Sequence, residues 1–405
     1  MTESTARQVN GEQIVYVITS LAMGGAQKVL LGLLANPQLK EPPPLVISLL
    51  KTEGVQAEFA NLGVEVFYLE LEKPKLLFKK LRELKCLIAK RPIKLIYSFL
   101  HHANLFAILL ATICAKPRPA VIWGLHDTPL KGLYTRYQHR LLFWLSARLS
   151  KLPKKIILVS ERSRQRYIEV GYPADSMELI PNGVAVPALQ AAQTNADRQA
   201  VRAELGLASE AILIGSLTRA VPEKDLPLML AAFAHLAPTQ DLHLVLVGEG
   251  VDSNNADLQA QISSLQLQNR VHCLGIRHDP QRLIRSFDIA TLSSRSEAFP
   301  LFLVEAMALG IPCVATDVGD IALIFGGKGV LQPAGDLTGL AQAWQEVLNW
   351  SALKRQQQIE QAWQHIHAHF SLERMQQHHL TVFAELIQAC ESNQAWNMRM
   401  HHKRC

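Results

Sequence analysis

Residues 294–320 read SRSEAFPLFLVEAMALGIPCVATDVGD. The β-branched, apolar run IATLSS (289–294) leads into this stretch and PCVAT (312–316) closes it, with a helical pattern over 301–309 between them. Strand, loop, helix, strand is the repeating unit of a parallel sheet with crossover helices. Two acids hold set places in that unit, Glu297 in the loop and Glu305 inside the helix, while Pro300 suits a first helical turn. Eight residues of pure helix rise about 12 Å. The two carboxylates can therefore bracket one ligand, accepting from its hydroxyls while the helix N-terminus between them faces a phosphate. A buried acid with no such partner is costly.

The same unit recurs along the chain. IVYVITS (14–20), PLVISLL (44–50), VEVFYLEL (64–71), LIYSFL (95–100), AVIWGLH (120–126) and KIILVS (155–160) read as strands, and helical patterns cover 25–35, 75–90, 102–115 and 133–150. The Ala/Gln-rich stretch ALQAAQTNADRQA (188–200) reads as a linker. Beyond it come AILIGSL (211–217), LHLVLVG (242–248), VHCLG (271–275), IATLSS, PCVAT and GVLQP (329–333), with helices near 224–237, 255–266, 279–286, 301–309 and 336–349. The expected class is α/β, with two Rossmann-like doubly wound domains over 1–187 and 201–370. A break at HFSLE (369–373) starts a last helix over 371–395 with Ser371 as N-cap, followed by a loose basic tail, 396–405, whose paired histidines could hold a metal but need no such role.

Composition narrows the class. The 405 residues are 49% hydrophobic, 19% charged and 6% aromatic, which suits two ordinary cores and excludes a disordered or fibrous chain. Six scattered cysteines form no C-x-x-C pair, so a reducing, cytoplasmic setting is expected. The polar start MTESTARQVNGEQ lacks a signal peptide's apolar core, and the run LFAILLATICA (105–115) is far short of the ~20 residues that cross a bilayer. Residues 1–185 carry 25 Lys and Arg against 14 Asp and Glu, whereas the rest carries 16 against 21. The densest basic stretch, 73–94, has helical spacing and reads either as a solvated crossover helix or as a patch for an anionic membrane surface. No nucleic-acid motif accompanies the charge.

Two more strand-to-helix turns can face ligands. In SLAMGGAQKVLL, Gly24 and Gly25 stand before a helix whose N–H groups can meet an anion, or they serve close packing; no G-x-G-x-x-G is present, which disfavours a dinucleotide. In LTRAVPEKD, Arg219 and Lys224 share one loop at a strand's carboxyl end, a planar fork and a point charge that together suit a diphosphate.

These phrases, with LVLVGEG, resemble the large retaining glycosyltransferase family numbered four, the glycosyl transferases of group 1 with the GT-B fold. The likeness runs over about residues 14–390. It implies two domains facing each other across a cleft, with the helix 371–395 crossing back to the N-terminal domain. It implies that Glu297 contacts the donor sugar with Ala298, Phe299, Pro300 and Leu301 around it, that Glu305 holds the ribose, and that Arg219 and Lys224 hold the diphosphate. Gly24 and Gly25 would line the cleft, His126 in WGLHDT would lie near the donor sugar, and His102 and Asn104 in FLHHANL would fall on the acceptor side, with His101 better explained as a structural residue. Arg219, Lys224, Glu297 and His126 would then form the catalytic set. Ala298 and Asp320 depart from the family's usual EGFP and VGG phrases.

The implied activity is sugar transfer, with retention, from a UDP-, GDP- or ADP-linked donor to a glycan or lipid-linked acceptor in cell-surface polysaccharide synthesis. No cofactor and no metal are expected, since no D-x-D motif is present and two cations can serve the diphosphate; the basic N-terminal half and the lack of a spanning run motivate a cytoplasmic setting at the inner face of the cell membrane. Three rivals are a sugar-nucleotide epimerase of the same architecture, an NAD-dependent dehydrogenase, which lacks its glycine fingerprint, and a non-catalytic partner subunit, which would be expected to have lost some of the four site residues.

Overall fold

A computed structural model describes residues 9–22, 24–40, 42–114, 118–129, 137–189, 195–236 and 241–402, with backbone alone for 137–140 and 393–402. Residues 1–8 of the polar start, 190–194 of the linker and 403–405 of the tail lie outside the described residues. The chain divides into two compact units, Met1–Gly183 with Leu372–Cys405, and Val184–Ser371.

The first unit holds a parallel sheet of seven strands, β1 (Ile14–Ile18), β2 (Leu45–Ser48), β3 (Glu65–Tyr68), β4 (Leu95–Phe99), β5 (Ala120–Leu125), β6 (Lys155–Leu158) and β7 (Met177–Leu179), in the order β3-β2-β1-β4-β5-β6-β7. All residues of β1, β2, β4 and β5 are buried, as the continuous apolar runs require of strands covered on both faces. On one face Val15, Val17, Ile96 and Trp123 share a core with the helices Leu77–Ala89, His101–Ile113 and Tyr137–Leu149. On the other, the rings of Tyr16 and Tyr97 pack edge-on against Phe383 of the helix Leu372–His402. That helix is tied down by polar contacts. His379 Nε2 meets the Tyr97 hydroxyl at 3.2 Å, Gln376 Nε2 donates to Gly32 O at 2.6 Å, and Lys94 pairs with Glu391 at 2.6 Å.

The second unit holds six parallel strands, β8 (Ile212–Leu217), β9 (Leu242–Val247), β10 (Val271–Cys273), β11 (Ile289–Leu292), β12 (Cys313–Thr316) and β13 (Val330–Gln332), in the order β10-β9-β8-β11-β12-β13. Both sheets reverse direction beside their first strand, between β1 and β4 and between β8 and β11, which are the topological switch points where open α/β sheets take ligands. Trp344 is fully buried in the second core and its indole N–H donates to Thr291 Oγ1 at 3.0 Å.

Several local features differ from the sequence expectation. The linker 188–200 runs into a helix, Asn195–Glu204, that belongs to the second unit because Arg202, 1% exposed, reaches Asp288 Oδ2 at 2.7 Å and the carbonyls of Ala211 and Ser286. The units part at Gly183, four residues before the expected boundary at 187. Ser371 is the extended C-cap of the helix Ala352–Phe370 and stands directly before Leu372, the first residue of the next helix. The last helix, free of Gly and Pro, continues through 396–402, the stretch expected to be loose. Among the described residues no helix is long and apolar enough to cross a membrane.

Candidate active site

At the switch point of the second unit the loops after β8 and β11 are laced together. Ser293 Oγ donates to the carbonyls of Lys224 (2.9 Å) and Asp225 (3.0 Å), and the Arg295 N–H donates to Glu223 O at 2.8 Å. Arg295 Nε reaches Asp225 Oδ2 at 2.6 Å. Asp225 is buried with φ of 48°, a left-handed conformation that costs a non-glycine residue ~1–2 kcal/mol and persists here because these bonds enforce it. The short turn Pro222–Lys224 so held directs Lys224 across to the β11 loop, where its Nζ lies 2.5 Å from Glu297 Oε1.

The same oxygen accepts from Ser294 Oγ at 2.7 Å. Both bonds thus fall on Oε1, and Oε2 takes no hydrogen bond from a described residue, although the Glu297 side chain is only 8% exposed. A third loop supports the arrangement from β12. Gly319 has φ of 56°, and a Cβ there would stand 2.2 Å from Glu297 O, so only glycine lets the backbones approach so closely. Thr316 Oγ1 donates to Ser294 O at 2.6 Å.

Around this centre the other expected donor residues fall as follows. Arg219 follows β8, is exposed, and its guanidinium has no ion-pair partner among the described residues. Ala298 is half-buried, and Phe299 is buried with its ring edge-on to Phe370 at 5.5 Å. Pro300 is the N-cap, and Leu301 opens the helix Leu301–Ala308, whose first turn no side chain caps. Glu305 is half-buried within that helix, and Asp320 is buried ahead of the turn Ile321–Phe325.

In the first unit, Gly24 is the N-cap of the helix Gly25–Leu34, which likewise lacks a side-chain cap. His126 follows β5 and stacks on Phe99 at 5.0 Å; both of its ring nitrogens are buried without a hydrogen bond from a described residue. Burial and the neighbouring His379 push its pKa down to about 4, against the opposing pull of Asp127, so the ring is neutral at pH 7. His102 is exposed, whereas His101 is buried and bonded to Asp127 Oδ2 and the Tyr167 hydroxyl, both at 3.2 Å. Asn104 corrects the acceptor-side expectation. It is fully buried, accepts from Ser98 Oγ at 2.8 Å and donates to Gly124 O at 3.3 Å, so it joins β4 to β5 and offers nothing to a ligand.

Ser293, Ser294, Asp225 and Arg295 were not singled out as site residues from the sequence; the only signal was their presence in the IATLSS, SRSE and EKD phrases. Among the described residues no group of three or more His, Cys, Asp or Glu is placed to hold a metal ion.

Residues 44–186 match the family model described as Glycosyltransferase Family 4, and residues 209–349 match Glycosyl transferases group 1. The N-acetyl-alpha-D-glucosaminyl L-malate synthase of Bacillus anthracis is 30% identical over 194 residues, 47% of this chain and 50% of that protein. The UDP-Gal:alpha-D-GlcNAc-diphosphoundecaprenol alpha-1,3-galactosyltransferase of Escherichia coli is 25% identical over 232 residues, 55% and 58% of the two chains. These alignments span about half the length of the curated relatives. Among solved structures, Anabaena Alr3699/HepE in complex with UDP and glucose superposes with a TM-score of 0.77 at 21% identity, covering 92% of this chain and 100% of that one, a likeness of fold.

Proposed function

The chain belongs to the family 4, group 1 glycosyltransferases, with the GT-B fold, and from that premise we propose that it transfers a sugar from a nucleotide-sugar donor to a glycan or lipid-linked acceptor in cell-surface polysaccharide synthesis. The observation that carries this reading is the state of Glu297. One oxygen is held by Lys224 and Ser294, and the other is left for a hydroxyl donor at a sheet's switch point. A sugar supplies such donors. Lys224 and Arg219 then stand where charge grows on the departing diphosphate, and preorganised cations in a sheltered site stabilise that charge more than water does. Because two cations can serve the diphosphate, the reaction is proposed to need no metal, and retention of configuration is proposed from family membership.

Glu305, on the helix that begins after Pro300, is assigned to the ribose hydroxyls, and the uncapped first turn of that helix to a phosphate oxygen. In the first unit, the neutral His126 has two ring nitrogens without partners among the described residues, a donor and an acceptor for a substrate hydroxyl. The E. coli relative carries UDP-Gal and a diphosphoundecaprenol acceptor in its name, and the Anabaena structure holds UDP and glucose. Both favour a uridine donor for this chain, and the first favours a lipid-linked acceptor.

The test is a thermal-denaturation screen with UDP, GDP and ADP and their sugar conjugates, followed by transfer assays with and without chelator. A ligand at 100 times its dissociation constant adds ~2.7 kcal/mol of stability. The reading fails if none of these compounds shifts the transition, and its metal-free part fails if chelator abolishes transfer.

A further inference from the structure

The helices Leu77–Ala89, His101–Ile113 and Tyr137–Leu149 turn their inner sides to one core with alternate residues of β1, β4 and β5, so their outer sides form one surface of the first unit. That surface is unusually apolar. Phe78 is 87% exposed, Leu109 57% and Trp144 55%, each on a different one of the three helices. Singly exposed apolar residues are normal on a protein, but large ones gathered on one layer mark a docking face. The grouping is also regular. Leu141, Trp144 and Leu145 recur at helical spacing, and the Arg148 guanidinium lies 5.1 Å from the Trp144 ring centre. Phe78, Arg82 and Lys85 make a similar row on the first helix.

Charge selects the occupant. Between Glu83 and Glu161 the sequence holds one acid, Asp127, against 13 Lys and Arg. Of these, Arg91, Lys94 and Lys155 pair with Glu65, Glu391 and Glu178 elsewhere, while Lys85 and Arg148 are exposed on these helices. Lys151 and Lys154, both exposed, border the Trp144 helix, and Glu83 on the outer side of the first helix is paired with Lys79 and Lys80. A second copy of this chain would bring the same positive charge and be repelled. An anionic head-group layer takes both features at once, tryptophan and leucine at the acyl boundary and Lys and Arg on phosphate.

We propose that this outer face docks the protein on an anionic phospholipid bilayer, lying along its surface without spanning it. The apolar centre is the Trp144 helix, and the basic stretch 73–94 contributes the margin with Phe78. The inference rests on the first unit alone and is independent of the donor chemistry.

Flotation of the full chain with phosphatidylcholine vesicles, with and without phosphatidylglycerol, tests it. Recovery is expected with the anionic vesicles only, falling as salt rises. Trp144→Ser with Leu145→Ser, and separately Lys79→Glu with Lys85→Glu, should each weaken vesicle binding about tenfold or more while nucleotide-induced stabilisation is unchanged. If either pair abolishes the thermal transition, Lys151→Glu, on an exposed loop, replaces it and should weaken binding several-fold. Equal recovery with neutral vesicles, no recovery with either, or full binding by the variants overturns the proposal. So does a dimer in sedimentation that the Trp144 variant dissolves.

Discussion

Replacing Lys224 by Met leaves Glu297, 8% exposed at its side chain, with Ser294 as its remaining described donor. Two unit charges 2.5 Å apart attract by ~7 kcal/mol at an effective dielectric of about 20, and desolvation takes most of that back. What decides the variant's stability is the charge left behind. Truncating one member of a buried pair costs ~3–5 kcal/mol, and because the Lys224 side chain is 19% exposed, so that water reaches the site, the lower end applies, ~3 kcal/mol. Glu297→Gln keeps an acceptor for Lys224 and for Ser294 and frees the ammonium to turn to water, so it should cost ~1–2 kcal/mol. The double variant leaves no stranded carboxylate. Its loss should therefore fall short of the sum by ~2 kcal/mol, a coupling that urea denaturation of the ligand-free variants can read from shifted midpoints at constant slope. Additivity within ~0.5 kcal/mol would mean that the two side chains do not share a buried bond, and the account of how Glu297 is held would be wrong.

Other outcomes follow from the same structure. Arg202→Met removes the donor that joins Asp288 to the carbonyls of Ala211 and Ser286, and should destabilise the second unit by ~3–5 kcal/mol; a loss under ~1 kcal/mol in chemical denaturation would contradict its placement. Burial holds His379 neutral with its pKa pushed from 6.5 down to about 4. The unfolded chain therefore takes the proton first, and stability present at pH 7 is lost as pH falls from about 6.5 toward 4, by ~2 kcal/mol for this residue between pH 7 and 5. His379→Leu should flatten that dependence; an unchanged slope of stability against pH would refute it. Glu305→Ala should raise KM for the donor with a smaller change in kcat, whereas Arg219→Ala should lower kcat more than it raises KM, and the reverse split would cross their assigned roles. Gly319→Ala forces a Cβ toward Glu297 O and a strained φ, so it should reduce both stability and turnover, whereas loss of activity with stability unchanged would point to a different support for the loop.

The strands were legible where β-branched runs were long and bounded by turn residues, which is why β1 and β8 could be read directly. β7 could not, because Met177–Leu179 is three residues with an acid at its centre and offers no pattern to read. The helix Asn195–Glu204 failed for a different reason. It is anchored by Arg202, and an arginine at a core position looks like surface until its partners, Asp288 and two carbonyls more than a few turns away in sequence or in another loop, are known. Asn104 shows the opposite error, a polar residue beside a strand end that faces the sheet because a carbonyl and a hydroxyl there needed closing.

The site divides along the same line. Residue types at strand ends are visible in sequence, so the acids and cations of the second unit could be named. Their pairing could not, since Lys224 and Glu297 are 73 positions apart and meet only because the sheet reverses order between β8 and β11. Ser294 is three residues from Glu297, yet its role exists only once the loop turns it back onto Oε1, and the Asp225–Arg295 tie exists only at a left-handed φ that no propensity favours for Asp. The proposed function hangs on that last layer. A carboxylate with both oxygens held would be a strut of the fold, whereas one held by a single oxygen is oriented and still able to accept from a substrate, and the difference is made by a serine, an arginine and a glycine that carry no chemistry of their own.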